Sequence, residues 1–295
     1  MDKRVLRADW LLLLTAVIWG TAFVAQRAGM AYVGAFTFNG IRFALGMLVL
    51  LPLAMWGPAE YKPGTDPGRK MRATPSQALW GGGLAGLMLF SGASLQQLGL
   101  VYTTAGKAGF ITGLYVIIVP IMGLFWGLKS GKGGWLGAGL AVVGLYLLSV
   151  TRGLSIAPGD LLVLLGAFFW AGHVLVVGWL SPKVNRMRLA CAQYAVCSGL
   201  SLIVAGLAET MILENILRAA VPILYGGIAS VGIAYTLQVV AQKYAPPAHA
   251  AIILSLESVF AAVAGWLILG EIMSVRGIIG AGLMLAGMLT AQLWS

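Results

Sequence analysis

Charge is scarce in this chain. Only 9% of its 295 residues are Asp, Glu, Lys or Arg, against roughly a quarter in an average globular domain, and that shortage excludes an ordinary water-solvated protein. Histidine is scarcer still: His173 and His249 fall in separate apolar windows. The two cysteines, Cys191 and Cys197, lie six apart inside one such window; neither a metal site nor a disulfide framework is suggested, and both read as packing residues. Also missing are a His-Glu-x-x-His motif, paired carboxylates at helical spacing and a glycine loop leading to a lysine and a hydroxyl. Without a nucleophile and its base, or clustered metal ligands, an enzyme is not expected. No cofactor and no ATP site is implied, so a gradient must drive any accumulation.

What the chain has instead is apolar surface. Hydrophobic residues make up 60% of it, with 41 glycines and 10 tryptophans, and the mean hydropathy is +0.92. About 20 residues cross a hydrocarbon core of about 30 Å, and ten windows of that kind follow one another: Trp10 to Ala28, Phe36 to Trp56, Gln77 to Gly99, Thr103 to Leu128 and Gly134 to Val150, then Gly159 to Leu180, Leu189 to Ala208, Ala219 to Lys243, Pro247 to Leu269 and Val275 to Trp294. The one sizeable connector, Gly57 to Ser76, is rich in Pro, Gly and charge and reads as a mobile loop. The expectation is an all-α integral membrane protein of ten transmembrane helices. The first window lacks a small-residue cleavage site, so it reads as a retained span and not a signal peptide.

The charges that remain are lopsided, with 19 basic residues against 9 acidic. With the N-terminus in the cytoplasm, the inner segments collect 13 of the 19, from Lys3 and Arg4 to Arg188 and Lys243, while the outer loops hold only Arg27, Arg152, Arg218 and Arg276. Lys and Arg in short loops stay on the cytoplasmic side during insertion. Both termini are therefore expected in the cytoplasm, in a bacterial-type inner membrane, and the basic balance is topology and not a nucleic-acid footprint.

The chain also repeats itself. At an offset of 151 residues, Asp9 lies over Asp160 and Trp19 over Trp170, while Arg42-Phe43 falls on Gln193-Tyr194; at 142, Leu95-Gln96 lies over Leu237-Gln238 and Tyr102 over Tyr244. At 143, Gly137-Ala138-Gly139-Leu140 matches Gly280-Ala281-Gly282-Leu283. Residues 1–150 and 151–295 thus read as two five-helix repeats. Five is odd, so the second must enter the membrane from the opposite face. Two equivalent bundles in opposite orientation can expose one central cavity alternately to each side, the design of a secondary transporter. A static bundle, a channel or a sensor are the alternatives.

The ninth window reads Leu254-Ser-Leu-Glu-Ser-Val-Phe and closes on Leu269-Gly270-Glu271. With a worn copy in Leu114 to Pro120 and both Asp-x9-Trp starts, this resembles the EamA family of the drug/metabolite transporter superfamily. Ser258 stands where that family usually has proline, and Lys129 where Glu271 has its first-half counterpart. The resemblance implies a basket-like ten-helix exporter with a central cavity and peripheral fifth and tenth helices. Its tryptophan positions look most like those of YddG-type amino-acid exporters. The implied partners are a small-molecule substrate, an amino acid or related metabolite, and the lipid bilayer. The chain is expected to be a monomer or weak homodimer.

Several residues then become candidates. Glu257, ten residues after Pro247, lies about 15 Å along its helix, where an ionisable group is costly and usually faces a cavity or a partner. It can hold an ammonium, carry a proton, or serve as a structural carboxylate. Trp19 and Trp170 sit away from the interfacial belt, so they either stack on a substrate or act as packing wedges. Arg42 either snorkels to the outer surface, the favoured reading, or grips a carboxylate; snorkelling is favoured more strongly for Lys107. Tyr115, His173, Tyr235, Gln238, Gln96 and Ser255 supply further polar atoms that lipid would not tolerate. Lys107 and His249 are repeat counterparts that open helices rich in small residues, Gly109 and Gly113 in one and Ala251 in the other. Such faces suit a sliding gate or static packing. Pro120 is expected to kink its helix and provide a hinge.

Overall fold

The computed structural model describes residues 3–56, 75–126, 131–149, 156–245 and 247–294. Residues 57–74 of the expected loop, and Lys129, lie outside them. Every regular element among the described residues is a helix: α1 (Lys3–Gly29), α2 (Ala35–Trp56), α3 (Pro75–Leu100), α4 (Ala105–Gly113), α5 (Tyr115–Gly123) and α6 (Lys132–Ser149), then α7 (Pro158–Leu180), α8 (Arg186–Ala208), α9 (Leu213–Arg218), α10 (Ala220–Leu224), a π-helical stretch Tyr225–Tyr235, α11 (Thr236–Ala241), α12 (Pro247–Ser255), α13 (Glu257–Leu269) and α14 (Val275–Leu293).

Local chemistry sets several boundaries. Thr104, Asn185 and Ser274 each accept a backbone N–H at the start of α4, α8 and α14, satisfying a donor that the helix itself cannot pair. Gly270 ends α13 at φ 64°, a left-handed conformation that favours glycine. Seven described stretches are long and apolar enough to cross a membrane: Lys3–Gly29, Ala35–Trp56, Ala105–Gly123, Pro158–Leu180, Arg186–Ala208, Ala220–Ala241 and His249–Leu269. Shorter apolar helices run Trp135–Leu148 and Val275–Gly287.

The packing is between halves more than within them. α2 lies on α8, α3 on α7 and α8, α1 on α13 and the π-helical stretch, and α4 on α13. α6 and α14 pack chiefly on each other, and glycine makes that possible. A Cβ at Gly144 would stand 2.5 Å from the Gly280 carbonyl oxygen, and one at Gly287 2.5 Å from that of Gly137. The two copies of the Gly-Ala-Gly-Leu segment therefore form one interface. Trp10, Trp56, Trp135 and Trp294 are exposed near helix ends, as membrane-boundary anchors would be.

The expected kink at Pro120 is not where the helix breaks. α5 runs through Pro120, and the break falls at Leu114, whose N–H reaches back only to the Ile111 carbonyl at 3.2 Å. The second half breaks at the equivalent Leu256, with N–H to Ile253 O at 3.2 Å. The dihedrals agree as well, φ −61°, ψ −16° and φ −61°, ψ −15°. Ala262 occupies the proline's counterpart position, so proline is not what makes this break. It places Tyr115 and Glu257 each at the first position of a half-helix.

Candidate functional site

Between the halves lies a cavity of about 30 Å³, as space open to water centres. That holds about two waters, so the site is closed around its own side chains. Trp19, Arg42, Gln96, Tyr115, Trp170 and His173 line it, as do Tyr235, Gln238 and Glu257. These are nine of the ten binding candidates.

Its aromatic wall centres on Tyr235. The Trp19 ring lies 4.4 Å from it and that of Trp170 6.0 Å, stacked at 24°, while His173 meets it edge-on at 6.1 Å. Neither indole is free to turn. Trp170 Nε1 donates to Gln96 Oε1 at 2.9 Å and Trp19 Nε1 to the Ser230 carbonyl at 3.2 Å. Gln96 Nε2 in turn donates to Gln26 Oε1 at 3.2 Å, and His173 Nε2 stands 2.8 Å from Gln193 Oε1.

The charged groups sit at two separate poles. Arg42 is 1% exposed, so it does not snorkel, which corrects the favoured expectation. Its Nε donates to Asn39 Oδ1 at 2.9 Å, and its guanidinium carbon lies 4.9 Å from the Phe43 ring centre. No carboxylate pairs with it among the described residues. Glu257, 3% exposed, opens α13, where the helix dipole favours negative charge. Tyr115 lies beside it, and among the described residues neither the Tyr115 hydroxyl nor Gln238 Oε1 has a hydrogen-bond partner. Buried polar atoms left unpaired are costly in protein interiors, and here three acceptors or donors face one space.

Lys107 and His249 lie outside this cavity, at opposite ends of the bundle. Lys107 Nζ is 2.6 Å from Asp160 Oδ2, and His249 Nε2 is 2.7 Å from Asp9 Oδ1. Lys107 is thus tied to a buried carboxylate instead of snorkelling. The ends differ because α4 begins where α13 finishes: Glu271, just past α13, accepts from the Ala105 and Gly106 N–H groups. α1 and α12, by contrast, both begin near the Asp9 contact. Gly109 packs on α13, its carbonyl accepting from Ser258 Oγ at 2.9 Å, and Gly113 and Ala251 are buried beside the breaks. Ser255 is the misplaced candidate. Its hydroxyl donates to Ile252 O at 2.7 Å, away from the cavity.

Gln26, Thr112 and Ser230 also line the cavity and were not anticipated. Gln26 follows Trp19 by seven residues, two helical turns on the same face. That spacing was the available signal.

The sequence profile of the EamA-like transporter family matches residues 6–150 and again residues 157–291. An uncharacterized transporter of Archaeoglobus fulgidus is 32% identical over 290 residues, 98% of this chain and 86% of the relative. The uncharacterized inner membrane transporter YedA of Escherichia coli (strain K12) is 26% identical over 200 residues, 65% of this chain and 59% of its own length. One solved protein crystal structure superimposes with a TM-score of 0.68 at 18% identity, over 97% of this chain and 96% of its own, a likeness of fold.

Proposed function

This chain belongs to the EamA-like transporter family, and on that premise we propose that it is a secondary carrier exporting small zwitterionic metabolites, amino acids with aromatic side chains foremost, across the cytoplasmic membrane by alternating access. The observation that carries this reading is the pairing of opposite poles in one buried aromatic cavity. An unpaired guanidinium at Arg42 suits a carboxylate, whose planar fork it matches. Glu257, with the Tyr115 hydroxyl and Gln238 Oε1 beside it, suits an ammonium. The rings of Trp19, Trp170 and Tyr235 between them suit a flat side chain, and add cation–π attraction for the amine. Lys107, the other carboxylate-binding candidate, is already neutralised by Asp160.

Alternating access draws support from the two end contacts. Asp9 and Asp160 are counterparts in the repeat, as are Lys107 and His249, and each Asp meets the partner belonging to the other half, at opposite ends. Antiparallel copies of five crossings each, residues 1–150 and 151–295, would arrange them so, with both termini cytoplasmic. The closed cavity is then an occluded state between two gates. Discontinuous helices at the site, α4–α5 and α12–α13, fit the common construction of such carriers.

The experiment is transport of amino acids into liposomes by the purified protein and by Glu257→Gln and Trp170→Ala. Loss of saturable uptake in both variants, with normal membrane insertion, is expected. Wild-type rates in both would overturn the site.

A further inference from the structure

The two ends of the bundle are fastened by very different numbers of bonds. At the Lys107 end the start of α4 is held on two sides. Glu271 Oε1 accepts from Ala105 N at 2.8 Å and Oε2 from Gly106 N at 3.1 Å, while Asp160 accepts from Thr103 Oγ1 at 2.6 Å and pairs with Lys107 Nζ at 2.6 Å. The carboxylate on a helix N-terminus and the buried ion pair are both charge-assisted contacts, roughly twice as strong as neutral ones.

At the His249 end the same repeat offset of 142 residues finds each of these groups altered. Thr103 becomes Ala245, which has no hydroxyl; Ala105 becomes Pro247, which has no N–H; Glu271 corresponds to Lys129, a cation; and Lys107 becomes His249. What remains of the counterpart contact among the described residues is the hydrogen bond of His249 to Asp9. It is also wetter. The Asp9 side chain is 22% exposed and that of Asp160 1%, and exposed pairs contribute little.

We propose that these unequal latches bias the ligand-free carrier: the Lys107 mouth stays shut, the His249 mouth opens, and substrate loads from the His249 side. Glu271, Thr103 and Lys107 are positioning residues that set this sidedness without touching substrate. By the distribution of Lys and Arg the His249 side is cytoplasmic, the loading side an exporter needs. The inference rests on the alternating-access reading above. A latch only shifts the populations of the two open states, by its differential contribution to each.

The test uses reporter cysteines at Ala108 and Ala250, repeat counterparts that are both fully buried in the closed structure, in full-length protein with Cys191 and Cys197 replaced by alanine. A membrane-impermeant thiol reagent is applied from both sides of vesicles. Without substrate, A250C should label about tenfold faster than A108C, the effect of about one charge-assisted hydrogen bond. Stripping the strong latch with Thr103→Ala, Lys107→His and Glu271→Gln should raise A108C labelling and lower that of A250C. Adding Ala245→Thr and His249→Lys at the weak end should slow A250C labelling. A general loosening of the fold would raise both reporters together, so opposite movements distinguish a latch from mere stability. Equal labelling in the unmodified background, or a ratio indifferent to both sets of changes, overturns the proposal. If substrate moves the two reporters in opposite senses while the ratio ignores the latch variants, only this proposal falls. If substrate moves neither, the alternating-access reading falls with it.

Discussion

Trp170 donates its indole N–H to Gln96 Oε1 at 2.9 Å, tying the first helix of the second half to the third helix of the first. The repeat counterpart of this contact would join Trp19 to Gln238. It is not made: Trp19 donates instead to Ser230 O within the π-helical stretch, and Gln238 Oε1 has no partner among the described residues. π-helical turns are rare and frequently mark functional sites. The two halves are alike in sequence and unlike in hydrogen bonding at the cavity wall.

That difference makes the two glutamines separable. Gln96→Leu strands the Trp170 N–H and the Gln26 amide oxygen, and should cost about 1–3 kcal/mol of stability. Gln238→Leu removes an unpaired acceptor, so stability should hold or rise while KM increases. Thermal unfolding in detergent, paired with transport kinetics, checks both. Equal stability losses would mean that Gln238 is bonded as Gln96 is.

Arg42 gives the second prediction. Lysine keeps the charge but not the planar fork or the contact with Phe43. For Arg42→Lys, the affinity for an amino acid should fall about tenfold or more. Binding of the corresponding decarboxylated amine should change little. Isothermal titration of the pair of ligands reads this directly. A parallel loss for both would show that Arg42 shapes the cavity and does not bind a carboxylate.

The α6–α14 pair should be structural only. Gly144→Val drives side-chain atoms into the Gly280 carbonyl and Met284, an overpacking that typically costs about 1–3 kcal/mol. Unfolding should come earlier, while KM at a permissive temperature stays unchanged, because neither helix lines the cavity. A raised KM would place this pair in the transport cycle.

The helical windows, the repeat and most cavity residues were legible because hydropathy and offset survive in one dimension. Contacts between counterparts were not. The offset relates Asp9 to Asp160 and Lys107 to His249, but it states equivalence, and the actual partners are exchanged between halves. Azimuth was the other missing quantity. Arg42 is near enough to its helix end to snorkel, and only its facing toward Asn39, Phe43 and the π-helical stretch puts it inside. Ser255 is two residues from Glu257, and residues two apart on a helix point to different faces. Pro120 misled because a local breaker was visible and the actual break, shared with Leu256, depends on none.

The central claim is one cavity served in turn from two sides, and counterflow tests it most directly. Proteoliposomes loaded with unlabelled amino acid should take up the labelled form faster than empty ones, with saturation, and Trp170→Ala should abolish the acceleration. Uptake that rises linearly with concentration and ignores the internal load would contradict it.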